Sequence, residues 1–120
     1  MALKRDQILE ANDQRTAKVK VPEWANGSGD NEVIVASMTG EMRDAWEQSL
    51  VDKSGVVKMD NHRARLLVYT IVDEGGNRIF SENDIQALGK KSAAALERCV
   101  KAAQKLNKLT DADLEEAKGN

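Results

Sequence analysis

Residues 62–84 read HRARLLVYTIVDEGGNRIFSEND, and the fold turns on where this stretch stops being helical. LLVYTIV (66–72) is apolar on every side, so periodicity alone accepts it as a buried strand or a buried helix. The basic start His62-Arg63-Ala64-Arg65, followed by Leu66-Leu67-Val68, favours a helix buried on most sides. Asn61 is its expected cap and Thr70 its approximate end. Ile71-Val72 then run extended into a tight turn, Asp73-Glu74-Gly75-Gly76-Asn77, whose glycines supply positive φ at no steric cost. A short extended Arg78-Ile79-Phe80 follows. Ser81 caps the next helix, with Asp84 three residues on as its capping-box partner.

The last twelve residues of the stretch, 73–84, also have the length and outline of a calcium-binding EF-hand loop. Such a loop takes oxygen ligands at positions 1, 3, 5 and 12 and needs glycine at 6. Asp73 and Asn77 fill positions 1 and 5, but position 3 is Gly75, which has no side chain, and position 6 is Arg78. Asp84 closes the loop with a shorter arm than the usual glutamate. The turn-and-cap reading accounts for more of these residues than the calcium reading does.

Working toward the C-terminus, DIQALGKK offers Gly89 as a helix C-cap. Ser92 caps SAAALERCVKAAQKLNKL (92–109), with Leu96, Val100, Ala103 and Leu106 as its apolar stripe and Arg98, Lys101 and Lys105 as its wet face. Thr110 and Asp113 predict a short polar tail helix over 110–120, prone to fray.

Toward the N-terminus, Thr39 caps a helix over 42–51 whose apolar face is Met42, Ala45, Trp46, Ser49 and Leu50. AKVKVPEW (17–24) and EVIVASM (32–38) read as two strands of an antiparallel hairpin around the loop ANGSGDN. Pro22 cannot donate a ladder hydrogen bond, so it stops its strand or places it at an edge. Trp24, at that strand end, either staples the sheet to a helix or contacts a partner. LKRDQILEA (3–11) predicts a short N-terminal helix.

The whole is one helix-rich α+β domain over 1–120, with about four to six helices and a small antiparallel sheet. A chain of 120 residues buries roughly two-thirds of its unfolded surface, so folding requires no disulfide or metal. Cys99 is the single cysteine, and an intrachain disulfide is excluded. No signal peptide is visible and no apolar run nears the ~20 residues of a membrane span. A cytoplasmic protein is expected. The net charge is −2 with both signs interspersed, unlike the basic stripe of a nucleic-acid binder. Aromatic residues, at 3%, are too few for a base-stacking platform.

Catalytic chemistry is thin. His62 is the only histidine, no serine sits in a nucleophile elbow, and the carboxylates form no paired constellation. Cys99 falls near an apolar stripe and reads as a small buried hydrophobe.

Several stretches occur together in a telling order: ILEA (8–11), VPEW (21–24), SMTGEMRDAWE (37–47), VDEGGNRIFSENDIQALGKKS (72–92) and ALERCVKAAQKLNKL (95–109). In order and spacing, over nearly the whole chain, this resembles the tail assembly chaperones of long non-contractile-tailed bacteriophages and their prophages. The resemblance implies a non-enzymatic protein without cofactor or metal. It would act in the cytoplasm of the infected or lysogenic bacterium and be absent from the finished virion. Its implied partners are the tape measure protein, which it keeps soluble, and the tail tube subunits it recruits; self-association is compatible with the same role. Such families are often made as two products through a programmed ribosomal frameshift. The positions expected to meet a partner are Pro22, Glu23 and Trp24 and the turn carboxylates Asp73 and Asp84. Each has a plain structural alternative: strand stop, solvated charge, packing aromatic, turn former and helix cap. The rival functional readings are a minor structural virion protein, such as a tail or head completion factor, and an EF-hand-like calcium module.

Overall fold

The computed structural model describes residues 1–109, so the expected tail helix over 110–120 lies outside the described residues. Among the described residues, five α-helices and three strands follow in the order α1 (Arg5–Glu10), β1 (Thr16–Lys20), β2 (Glu32–Ala36), α2 (Gly40–Ser49), α3 (His62–Thr70), β3 (Ile71–Val72), α4 (Ile85–Gly89) and α5 (Ala93–Leu106). The architecture is α+β, and the sheet is antiparallel with strand order β1-β2-β3.

The ambiguous apolar run resolves as both of the structures it could have been. Residues 64–70 are helical and buried without exception, as a helix packed on all sides requires. The chain then passes straight from Thr70 into β3, where β-branched Ile71 and Val72 pair with Val35 and Ile34. α3 lies against α2, α4, α5 and β2. α5 covers the sheet's inner face, where Val35 and Ile71 are fully buried and Val19 and Val33 pack against the core. The fifth helix keeps its expected stripe: Leu96, Val100 and Ala103 are buried, and Leu106 packs against them.

α2 presents Trp46 and Leu50 to the core, and the Thr39 hydroxyl accepts from the Met42 amide at 3.1 Å. The Trp46 Nε1–H is buried without an acceptor among the described residues, while Arg43 lies 5.7 Å from its ring centroid. Between α2 and α3, Asp52 folds the connecting segment into a turn. Its Oδ1 accepts from the amides of Ser54 and Val56, each at 2.9 Å, and a bridge joins Val51 to Val57.

Four expectations are corrected. Asn61 precedes α3 but does not cap it with its side chain; it sits at φ 53°, a left-handed conformation that asparagine tolerates. Gly89 is not a left-handed C-cap. It is the last residue of α4, and the Asn61 amide occupies the space beside it, where a Cβ would meet Asn61 Oδ1. Arg98 is not on a freely wetted face, because it donates to the Lys20 carbonyl at 2.8 Å and pairs with Glu23. The N-terminal helix is shorter than the expected 3–11 and buries none of its residues, leaving Leu3, Ile8 and Leu9 exposed.

Candidate functional site

The expected contact residues come from two segments, 22–24 and 73–84, and the fold brings Trp24 of the first beside Phe80 of the second. Val21 leaves β1 but stays in the hairpin, donating to the Asn31 carbonyl at 2.7 Å. Pro22 then opens a 3-10 turn over Pro22–Trp24, where its missing N–H and fixed φ cost nothing. The Trp24 amide donates to the Val21 carbonyl at 3.0 Å, which sets the indole half-buried against the core. Glu23 is held by Arg98 of α5, so its charge is engaged within the fold.

The second segment is tied down by its own carboxylates. Asp73 Oδ1 accepts from the Gly75 and Asn77 amides at 2.9 and 3.0 Å, and Gly76 takes φ +83° at the turn. Asp84 Oδ2 accepts from the Ser81 amide at 2.8 Å, and the Ser81 hydroxyl accepts from the Asn83 amide, completing the capping box. Both acids thus do what turn and cap chemistry asks. No group of three or more His, Cys, Asp or Glu side chains is arranged to hold a metal ion among the described residues.

Arg78, which occupies the glycine position of an EF-hand loop, has a structural task instead. The end of a helix leaves carbonyls without partners. Arg78 Nε donates to one of them, Val68 O, at 2.8 Å; its guanidinium lies 4.5 Å from the Tyr69 ring centroid and reaches Glu82 at 3.3 Å. Burial, with the Glu82 carboxylate beside it, raises the Tyr69 hydroxyl above its ordinary value. Glu82 is held below the usual carboxylate range by its own backbone amide, against a smaller opposing effect of burial, with Arg78 adding attraction. This network fixes the extended segment 78–80 against the end of α3, and an isolated bridge pairs Val72 with Arg78.

Two grooves result, sharing Trp24 and Phe80 as a common wall. The larger, about 490 Å³, lies over the outer face of the sheet and is lined by Lys18, Ile34, Val72, Asp73 and Ile79 among others. The smaller, about 400 Å³, runs toward α4 between Glu23, Asp84, Leu88 and Lys91. The expected residues therefore divide: Trp24 borders both grooves, Asp73 the first, Glu23 and Asp84 the second, and Pro22 neither.

Sequence reasoning missed Ile34, Val72, Ile79 and Phe80. Lys18, Ile34 and Val72 stand in register across the three strands and so share the outer face. Ile79 is 53% exposed beside them. A signal was present: EVIVA is apolar on both faces, whereas a strand with one wet face alternates.

Neither groove gathers the nucleophile, base and oxyanion donors of a catalytic site. Cys99 is fully buried, and burial pushes its thiol up to about 11, away from the reactive range. No helix among the described residues is long and apolar enough to cross a membrane.

Residues 3–120 match the sequence model of a family described as phage tail assembly chaperone. Among solved structures, the fold is similar to that of the bacteriophage HK97 tail assembly chaperone, with a TM-score of 0.55 and 22% sequence identity over 84% of this chain and 90% of that one. No curated sequence relative matches.

Proposed function

The chain belongs to the phage tail assembly chaperone family, and from that premise we propose that it binds the tape measure protein and recruits tail tube subunits to it during tail assembly. The family's role is that of a chaperone, which is non-enzymatic. The observation that carries the finer reading is the open apolar wall formed by Trp24, Phe80 and Ile79 between and beside the two grooves. A chaperone of a long helical protein must hold apolar faces reversibly, and exposed apolar area set in a rigid frame supplies that. On this reading Trp24 is the central contact, with Pro22, Glu23, Asp73 and Asp84 positioning it and shaping the rim. The protein works in the cytoplasm of the infected or lysogenic bacterium and leaves before the virion is complete.

The test is direct. The protein is immobilised, a lysate expressing the neighbouring tail genes is passed over it, and bound proteins are identified. Retention of the tape measure or tube protein is expected, and Trp24→Ala with an unchanged circular dichroism spectrum should lose it. Mass spectrometry of purified particles separates this reading from that of a minor structural virion protein: finding the chain there in stoichiometric amount would sink the chaperone assignment.

A further inference from the structure

We infer that the groove over the outer face of the sheet receives an amphipathic helix whose apolar stripe is flanked by lysine or arginine. This deepens the reading above and rests on it, because it names the chemistry of the segment the chaperone holds. The floor is apolar: Ile34, Val72, Ile79 and Phe80, closed at one end by Trp24. The rim is acidic. Asp30, Glu32, Asp73 and Glu74 border the groove, against Lys18 as its one basic lining residue. None of the six ion pairs among the described residues takes up any of those four carboxylates. The chain as a whole is close to neutral, so this bias belongs to the groove and not to the composition. Complementary charge at a rim selects partners and speeds their encounter, while like charge disfavours the wrong partner.

The floor also decides the conformation of the occupant. β2 is paired on both sides, and β3 is bridged to Arg78 on its far side. β1 keeps an open edge, but an occupant lying across the face of the sheet meets side chains there and must arrive with its own backbone hydrogen bonds satisfied. A helix laid in a groove meets that condition, and an added strand does not.

The experiment uses the full chain and two synthetic peptides of about 15 residues, long enough to form a helix on docking. Both carry leucines at helical spacing. One has lysines flanking the stripe, and the other has glutamates at the same places. By titration calorimetry the lysine peptide should bind at least about tenfold more tightly, and added salt should narrow the difference. The double variant Asp30→Lys, Glu32→Lys, both at exposed positions, should narrow or invert the preference. Ile79→Asp should remove binding with the circular dichroism unchanged. Equal binding of the two peptides, or of neither, overturns the proposal. So does a self-associated chain that Ile79→Asp turns to monomer and that the lysine peptide fails to dissociate, since the groove then belongs to a second copy. Failure of the broader reading is distinguishable. If wild type and Ile79→Asp retain the tape measure protein alike, the chaperone role stands and the groove proposal falls. If the lysine peptide binds as expected but no tail protein is retained, the groove chemistry stands without that role.

Discussion

At the level of single residues, the contact between Asn61 and Gly89 joins the start of α3 to the end of α4 through one missing methyl group. Alanine would ordinarily be favoured over glycine in a helix by nearly 1 kcal/mol. Here overpacking against the Asn61 amide opposes it, so Gly89→Ala should lower stability by about 1 kcal/mol, read as a shift of the urea midpoint. Asn61→Gly keeps the left-handed backbone and removes the obstructing amide. The double variant should therefore be more stable than the sum of the single changes predicts. This pairing could not be seen in the sequence, because it joins positions 28 apart whose residue types each had a plausible local use. The capping role of Ser81 and Asp84 was legible for the opposite reason, since both partners lie within one turn. The carbonyl contacts of Arg98 and Arg65 were not legible, because a long side chain can reach a carbonyl that only the tertiary fold brings near. Arg65, 9% exposed, donates to the carbonyls of Asp60 and Ser49 at 2.9 and 3.1 Å.

Elements are decided by how they start and stop. α5 ends in a Schellman arrangement: Lys108 takes φ 55°, the Leu109 amide reaches back to the Gln104 carbonyl at 2.7 Å, and Leu109 is buried. The left-handed residue is usually glycine, so Lys108→Gly should stabilise the protein by about 0.5 kcal/mol, net of the entropy glycine adds to the unfolded chain. Thermal or urea melting would show it. The Asp52 turn carries a pH signature. Chiefly the Ser54 hydroxyl, and next the Val56 amide, hold the Asp52 carboxylate below its ordinary value. The folded protein thus keeps it ionised at a pH where the unfolded chain has already bound a proton. Its stabilisation is present above the ordinary carboxylate range and is lost as pH falls through the lower folded value. Asp52→Asn should accordingly be less stable than wild type at pH 7, with the two urea midpoints converging in acid. The helical start of 62–84 and its turn were readable from pattern. The two-residue strand between them was foreseen as extended chain, but its place as the third strand depends on β2 lying alongside.

For the molecule as a whole, α3 is the helix against which most other elements pack, and α1 buries none of its residues. Six helical residues with no buried side chain are marginal on their own. Deleting residues 1–12 should change stability by no more than about 0.5 kcal/mol, and the urea midpoint would show whether it does. The α+β class and the hairpin were legible because alternation and turn chemistry are local. The grooves were not, because they are made where the 21–31 loop, the outer sheet face and the 78–80 segment meet. The two tryptophans stand in opposite environments as a result, Trp46 at 2% exposure in the core and Trp24 half-exposed on the shared wall. The protein thus carries an internal optical standard beside an optical sensor. Occupation of either groove should move the emission of Trp24 while that of Trp46 stays constant, so unlabelled protein can report its own binding.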